Sequence, residues 1–335
     1  MNGAGSRAVP PRPRLLLATA ILLSLSGWVV YTRFVDLRAL DLITNQTYRD
    51  LSLRQYRDTL AGALSFPAQW RLLGFWLVRG GERLTGADPH AIDFGLKTVC
   101  LAGIALVLFL FSSTVVDAMS ALLATALLFL ATAIAFAPEA YAIYQTNDYL
   151  MLLGWFAAVH AMRRQQWGLA AAAIFGAAWA KETIGLAVIL VSLEAWRGRA
   201  PWRAVVWCAA AFALPTIILR TTYPAPLSHW AWWQYNLEKN VPFYSMAPGA
   251  VMTAVRNDLK LFLFLNLLWL LAARAWWRTA DGFISSLGLV LALYLTCGIG
   301  AFMFRELRHV LPVMILVLPL AVGEVRSWLP IGNTR

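Results

Sequence analysis

The sequence predicts an all-α polytopic membrane protein with about ten transmembrane helices, and three observations carry this prediction. Of its 335 residues, 60% are hydrophobic and only 13% are charged, whereas soluble domains carry about 25% charged residues. Apolar stretches near the length of a membrane span, about 17 to 25 residues, recur along the whole chain. Arginine-rich loops alternate with these stretches. We therefore expect one transmembrane domain, 1–335, and no separate soluble domain.

The net charge of +11 fits a membrane protein better than a nucleic-acid-binding protein, because excess Lys and Arg mark cytoplasmic loops. The chain has no zinc-type Cys/His spacing, no Walker-type loop and no run of five like charges, which argues against a nucleic-acid partner. Its expected partners begin with membrane lipids. Cys100, Cys208 and Cys297 lie in apolar runs and are expected to be buried free thiols.

The first apolar stretch, 15–32, follows a basic flank. A cleaved signal peptide would fit this flank, but no small-residue cleavage site follows it, and Trp28 and Tyr31 are typical interface anchors. We expect an uncleaved first span. The spans predicted from the apolar stretches are 15–32, 96–113, 117–136, 148–162, 167–181, 183–197, 203–220, 258–274, 282–304 and 309–325.

The loops between these spans indicate the orientation of the chain. The short loops "MRRQQW", "RGRAPWR" and "RAWWRTADG" and the N-terminal tail carry more Arg than acidic residues, while "SSTVVDA" is neutral. The positive-inside rule then assigns these loops and both termini to the cytoplasm. Two long loops, 33–95 and 221–257, fall on the outer side. The Ala/Leu/Arg-rich composition is typical of bacteria, which predicts a multi-pass protein of the bacterial inner membrane.

The first long loop mixes charged, apolar and aromatic residues, a pattern typical of amphipathic helices at the membrane interface. One such helix is expected in "YRDLSLRQYRDTLAGAL" and a second in "FPAQWRLLGFWLV", with Arg71 near its middle. A plain surface helix lying on the bilayer is the alternative for the second segment. Loops of this length that are not low in complexity are usually functional.

Charged residues at membrane depth mark function by default, because their burial costs about 2.5–3.5 kcal/mol on insertion scales. Lys181 and Glu182 interrupt "AAAAIFGAAWAKETIGLAVILV". One interpretation is a tight turn in which both side chains extend to the membrane interface. The other is that both side chains line a polar cavity. Asp148 opens a neighbouring span on the same predicted side.

"FRELRHV" places four ionisable residues directly before the last span. If the segment is α-helical, Glu306 and His309 share a face at i,i+3, as do Arg305 and His309 at i,i+4. Guanidinium groups bind phosphate oxygens in a fork, so Arg and His here suit a phosphate or pyrophosphate. The alternative is an ordinary outer loop with solvated charges.

The order of these features resembles the GT-C superfamily of membrane glycosyltransferases, which use polyprenyl-phosphate-linked sugars. The segments that carry the resemblance are "TNDYLMLLGWFAAVHAMRRQQWGLAAAAIFGAAWAKETIGLAVIL", "RELRHVLPVMILVLPL" and "DLSLRQYRDTLAGALSFPAQWRLLGFWLV". The resemblance implies a GT-C-like fold and an inverting transfer of a hexosyl or pentosyl group on the periplasmic face. It implies a polyprenyl-phosphate-linked sugar as donor and a lipid or glycan as acceptor.

The resemblance also implies roles for particular residues. The family's catalytic carboxylate is often an Asp-Glu pair after the first span, but this sequence has no Asp-Glu dipeptide. Asp50, followed by Tyr56, is the first choice for that position, with Asp41 and Asp36 as alternatives. The donor phosphate would be bound by Arg308, His309, Arg305, Lys181 and Arg71. Supporting residues would be Glu306, Glu182, Asp148 and Tyr56.

No set of carboxylates is convincing enough to predict a metal site, and a divalent cofactor stays open. Two other functions also stay open. A transporter or flippase for an anionic lipid or lipid-linked sugar would line a pathway with these charges, but transporters tend to show internal repeats and interrupted spans near the midplane. A non-catalytic GT-C-like assembly subunit would explain the missing Asp-Glu pair.

Overall fold

The computed structural model describes residues 21–31, 48–61, 71–135, 143–223, 234, 267–301 and 307–328. These residues are helical apart from short turns, and no strand occurs among them, so the predicted all-α fold is confirmed for this part of the chain. The helices are α1 (Ile21–Tyr31), α2 (Tyr48–Leu60), α3 (Leu73–Thr85), α4 (Pro89–Ser112), α5 (Ala118–Ala135), α6 (Thr146–Arg163), α7 (Trp167–Ala178), α8 (Leu186–Trp196), α9 (Trp202–Thr222), α10 (Leu267–Arg278), α11 (Gly282–Ala301) and α12 (Met314–Trp328). Short 3₁₀ segments occupy Ile143–Gln145, Glu182–Gly185 and Leu307–Val313.

Four helices in the described part of the chain are long and apolar enough to cross a membrane. They are α4, α5, α9 and the continuous segment Leu307–Trp328. Each of the ten predicted spans overlaps a described helix, but six of these helices are too short or too polar to meet this criterion, so the count of ten spans is not confirmed. Helices α7 and α8 have 12 and 11 residues, which gives each a length of about 17–18 Å, against a bilayer core of about 30 Å.

Two boundaries in the first loop differ from the prediction. Helix α4 begins at Pro89 rather than at 96, because Asp93 and Lys97 neutralise each other inside it with an ion pair of 2.5 Å. Charges that pair at i,i+4 need not stay outside a buried helix. Helix α3 begins only at Leu73, so Arg71 precedes the helix instead of lying near its middle. Helix α2 forms within the predicted amphipathic segment.

Short loops gather at one end of the helical bundle, which we name the Asp281 end. At the C-terminus of α6, Arg163 forms an ion pair of 2.5 Å with Asp281, which precedes α11. Between α8 and α9, Arg199 donates a hydrogen bond of 2.9 Å to the carbonyl oxygen of Gly282. These contacts join the loops after α6, α8 and α10, which are the three arginine-rich loops that the sequence assigns to one side.

The loop after α4 and the C-terminus of α12 lie at the same end. Arg326 forms an ion pair of 2.7 Å with Asp117 before α5, and Arg274 of α10 forms one of 2.9 Å with Glu324 of α12. Arginines outnumber acidic residues in this region. The described arginines here are Arg163, Arg164, Arg197, Arg199, Arg203, Arg274, Arg278 and Arg326, and the acids are Asp117, Glu194, Asp281 and Glu324.

Helix α6 and the segment Leu307–Trp328 form the centre of the bundle. Of the most apolar stretch of Leu307–Trp328, 78% is buried inside the protein, against 22% for α9. The indole Nε1 of Trp155 in α6 donates a hydrogen bond of 2.9 Å to the carbonyl oxygen of Pro312. The outer helices expose large apolar side chains, such as Leu122 and Ile217, as a membrane-embedded protein does. Cys100 and Cys208 are buried as expected, whereas Cys297 is exposed on such an apolar surface.

Helices α6 and α7 cross closely because Gly154 of α6 lies against α7. A Cβ atom added at Gly154 would lie 2.4 Å from the Cβ of Ala177 and 3.1 Å from the carbonyl oxygen of Ala173. Only a residue without a side chain fits this crossing. The close packing of α6 against α7 therefore depends on one small residue.

Gly154→Ala is expected to lower the midpoint of thermal unfolding in detergent, because overpacking a tight contact costs about 1–3 kcal/mol. The matched control is Gly176→Ala in α7, where an added Cβ would meet nothing within 4 Å and where Ala favours the helix. Tryptophan fluorescence during heating provides the measurement. Equal midpoints for the two variants would contradict this close crossing.

Candidate functional site

A single carboxylate, that of Asp148, binds two cations at the end of the bundle opposite Asp281. The Nζ of Lys181 lies 2.5 Å from Oδ1, and the Nε of Arg308 lies 3.4 Å from Oδ2. All three side chains are more than nine-tenths buried. Asp148 stands in the first turn of α6, where the helix dipole favours a negative charge. We name this region the Asp148 end.

Two residues before Asp148 anchor the same helical turn to other segments. The hydroxyl of Thr146 donates to the Asp93 carboxylate of α4. The side chain of Asn147 accepts a hydrogen bond of 2.8 Å from the backbone N–H of Gly74 and donates one of 2.9 Å to the carbonyl oxygen of Arg71. Three consecutive residues thus connect α6 to α4, to the start of α3, and to Lys181 and Arg308.

Lys181 and Glu182 lie where the chain breaks between α7 and α8. Lys181 has an extended backbone, with φ −164° and ψ 139°, and a 3₁₀ turn follows it. The backbone N–H groups of Leu72 and Leu73 donate to the carbonyl oxygen of Trp179 over 3.3 and 3.2 Å. The turn is thereby fixed against the start of α3. The Lys181 ammonium points into the protein, so the lysine does not extend to the surface.

Glu182 forms an ion pair with Arg71. Its Oε1 lies 2.9 Å from the Nη2 of Arg71. Among the described residues, neither the Nε of Arg71 nor the Oε2 of Glu182 finds a hydrogen-bond partner, although both atoms are buried. This pair links the segment before α3 to the break between α7 and α8.

The segment before the last span is a 3₁₀ helix over Leu307–Val313, not the α-helix that the i,i+4 argument assumed. The hydroxyl of buried Tyr294 donates a hydrogen bond of 2.5 Å to the carbonyl oxygen of His309. This contact and the bond from Trp155 to Pro312 fix the backbone that presents Arg308. His309 is half-buried. Arg305 and Glu306, also predicted at the site, lie outside the described residues.

Sequence reasoning missed the buried pair of Asp93 and Lys97, which belongs to the same cluster of charged residues as Asp148, Lys181 and Arg308. Both side chains are 0% exposed, and the charge of Lys97 also interacts with Asp148. A signal was present in "DFGLK", because opposite charges four residues apart can pair on one helix face. The predicted boundary between the outer loop, 33–95, and the span 96–113 instead separated Asp93 from Lys97.

The cluster carries a surplus of positive charge. Its described cations are Arg71, Lys97, Lys181 and Arg308, and its described anions are Asp93, Asp148 and Glu182. With all groups ionised, the described residues of the cluster sum to one positive charge. An anion in this region would be attracted, because screening by water is weak there.

Tyr56, predicted as a supporting residue, has a different role. Its hydroxyl donates a hydrogen bond of 2.9 Å to Glu82, and its ring stacks on Phe75. Burial, together with this bond to Glu82, raises the pKa of Tyr56 well above its ordinary value. The neutral phenol therefore holds α2 against α3 and is not part of the cation cluster.

The predicted catalytic carboxylates are described only in part. The backbone of Asp50 belongs to the first turn of α2, but its side chain lies outside the described residues, as do Asp41 and Asp36 entirely. The Ser52 hydroxyl, one half-turn further along α2, accepts a hydrogen bond of 3.1 Å from the N–H of Ile143. This contact brings the start of α2 beside the segment that leads into α6.

Comparisons of the chain with protein-family models, with curated proteins and with solved structures find no match. Within the described ranges, no group of three or more His, Cys, Asp or Glu residues is arranged to hold a metal ion. The chemistry of the site must therefore be argued from its own charges and contacts.

Asp148→Asn is expected to destabilise the protein strongly. Removing one partner from a buried ion pair costs about 3–5 kcal/mol, because it leaves the other charge uncompensated. The control is Asp117→Asn, which removes the ion pair with exposed Arg326 at the other end. The thermal midpoint should fall much further for Asp148→Asn. Similar midpoints would contradict the central role of this carboxylate.

Asp93 and Lys97 can be tested as a pair. Asp93→Asn and Lys97→Met should each lower the thermal midpoint, while the double variant should be more stable than either single variant. The reason is that a neutral pair leaves no unmatched buried charge. A double-mutant cycle should give a coupling of about 0.5–3 kcal/mol. Additive effects would show that the two charges do not stabilise each other.

Proposed function

We propose that this chain is a membrane glycosyltransferase that transfers a hexosyl or pentosyl group from a polyprenyl-phosphate donor to a lipid or glycan acceptor. The observation that carries the proposal is the buried surplus of positive charge, in which Lys181 and Arg308 share the one carboxylate of Asp148. In the proposed complex, a phosphate oxygen binds both cations while the Asp148 carboxylate stays in place.

The charge of the donor matches this surplus. A polyprenyl-phosphate sugar is a phosphodiester with one negative charge, and its phosphate gains a second negative charge when the sugar leaves. Cations that are already fixed in place stabilise such developing charge most strongly. Arg308 would provide the fork that suits phosphate oxygens, Lys181 a second charge, and His309 a further contact. Arg305 remains a candidate for the same role.

The general base would come from the first outer loop. The three carboxylates in the described part of the cluster are all ion-paired, which makes them poor proton acceptors. Asp50 is the first candidate, with Asp41 and Asp36 as alternatives. It would take the proton of the acceptor hydroxyl while that oxygen bonds to the anomeric carbon. The bond from that carbon to the phosphate oxygen breaks, its electrons stay on the phosphate, and the anomeric centre inverts.

The orientation that supports this reaction follows from the arginine excess at the Asp281 end. The positive-inside rule favours that end in the cytoplasm of a bacterial inner membrane, with both termini inside and the Asp148 end on the periplasmic side. Along α6, Asp148 lies about 22 Å from the loop at Arg163, within the thickness of the bilayer core. Backbone breaks at such depth are tolerated where they line a cavity or are buried in protein.

A non-catalytic subunit that binds the same lipid phosphate is the second candidate. The ion-paired state of the cluster's described carboxylates is the observation that favours it. A flippase is disfavoured, because the described ion pairs concentrate at the two ends of the bundle rather than along a path between them.

Asp50→Asn is expected to abolish sugar transfer from a polyprenyl-phosphate donor in proteoliposomes, because the amide cannot accept the proton. Binding of the donor should persist. Asp58→Asn makes the same chemical change at the other end of α2 and should retain activity. Transfer is measured by the appearance of glycosylated acceptor, and binding by tryptophan fluorescence.

Full activity of Asp50→Asn would show that Asp50 is not the general base and would leave Asp41 and Asp36 as the candidates. Donor binding without transfer by the wild-type protein, with every acceptor tested, would favour the non-catalytic subunit. Lys181→Met and Arg308→Met should weaken donor binding, and unchanged binding in both would overturn the proposed phosphate site.

A further inference from the structure

We infer that Arg71 and Glu182 form a subsite for a hydroxyl group, and that this subsite recognises the sugar of the donor rather than its phosphate. The inference rests on the proposed function and reassigns Arg71, which the sequence grouped with the phosphate-binding cations. It specifies the part of the substrate that this pair contacts.

The geometry of the ion pair supports a hydroxyl. The Nε and Nη2 atoms of Arg71 lie on one edge of the guanidinium group, and a carboxylate facing this edge normally accepts two parallel hydrogen bonds. Here only the bond from Nη2 to Oε1 of Glu182 forms, at 2.9 Å. The donor Nε and the acceptor Oε2 are both buried and unmatched among the described residues.

A group that fills this gap must accept a hydrogen bond from Nε and donate one to Oε2. A hydroxyl does both, whereas a phosphate oxygen only accepts and an ammonium only donates. The two atoms themselves are shielded, although 40% of the Glu182 side chain is exposed, and leaving shielded polar atoms unmatched is unfavourable. The chemistry of the gap therefore selects a hydroxyl from the groups that a lipid-phosphate sugar carries.

Charge separates this subsite from the phosphate site. Arg71 and Glu182 neutralise each other, so their pair offers little attraction to a phosphate and places a carboxylate beside any anion that approaches. Lys181 and Arg308 are instead two cations that face the one carboxylate of Asp148 among the described residues. A neutral polar group fits the first pair, and an anion fits the second.

A small space also lies on the Glu182 side of the pair, and Arg71 is not among the residues that line it. A cavity of about 10 Å³ is lined by Ala178, Glu182, Thr216, Leu219 and Arg220, which is room for about one oxygen-sized group. Glu182 directly follows Lys181 in the chain, so its Cα lies about 3.8 Å from that of Lys181. In the donor, a sugar hydroxyl lies only a few bonds from the phosphate on the anomeric carbon. This short separation matches the short distance between Glu182 and Lys181.

The test compares donor forms that differ only in the sugar. Wild-type protein and Glu182→Gln are titrated in nanodiscs with polyprenyl phosphate and with its glucosyl, mannosyl and arabinosyl forms. Deoxy analogues of the best sugar, each lacking one hydroxyl, complete the series. Glu82→Gln, an equivalent change in α3, is the matched control.

We expect the wild-type protein to prefer one sugar-bearing form over bare polyprenyl phosphate, and one deoxy analogue to lose about tenfold or more in affinity. In Glu182→Gln the preference for the sugar-bearing form should shrink by about the same factor. The glutamine amide either turns its NH₂ group toward the sugar hydroxyl or offers it only an uncharged oxygen as acceptor. Binding of bare polyprenyl phosphate should change little, and Glu82→Gln should match the wild type. Arg71→Lys should behave like Glu182→Gln.

Several results would overturn the inference. If wild-type protein binds all forms equally, the gap holds water only. If Glu182→Gln weakens every form equally, Glu182 is structural, and if it strengthens every form, Glu182 is only an anion that competes with phosphate. Each of these leaves the proposed phosphate site intact. Failure of the wild type to bind polyprenyl phosphate in any form would instead refute the proposed function and the inference with it.

Discussion

The organisation of this protein depends on one buried carboxylate. Asp148 holds the Lys181 ammonium and the Arg308 guanidinium, which come from the break between α7 and α8 and from the segment before α12. Neither cation is stable in a buried place without its counter-charge. The positions of the two irregular segments are therefore tied to the first turn of α6. Among the described residues, two cations face this one carboxylate, and the proposed phosphate site rests on that arrangement.

The neighbours of Asp148 explain why the ends of so many helices meet at one place. Thr146 reaches Asp93 in α4, and Asn147 satisfies backbone groups of Arg71 and Gly74. Backbone that is not helical must find hydrogen-bond partners at membrane depth, because lipid offers none. The α6 turn and the carbonyl oxygen of Trp179 provide such partners. The polar groups of the cluster thus stabilise the fold and also form the candidate site.

The charged residues of the cluster form three sets, of which one suits a structural role and two suit ligand binding. Asp93 and Lys97 are fully buried and matched, which suits a purely structural pair. Arg71 and Glu182 are matched in charge but not in hydrogen bonds, and this favours a neutral polar ligand. Lys181 and Arg308 are two cations that face the single carboxylate of Asp148, and this favours an anion. A donor that joins a sugar to a phosphate combines both requirements.

The sequence by itself determined the all-α class, the approximate positions of the helices and the common side of the arginine-rich loops, because apolar length and charge distribution are local properties. It also selected Asp148, Lys181, Glu182, Arg71 and Arg308 as residues of interest, because charge at membrane depth is conspicuous. Only the tertiary structure decided how these residues pair. Pairing depends on contacts between positions far apart in the chain, such as Arg71 with Glu182. The sequence prediction also placed Asp93 in a loop and Lys97 in the following span, because it did not recognise that the two charges neutralise each other inside α4.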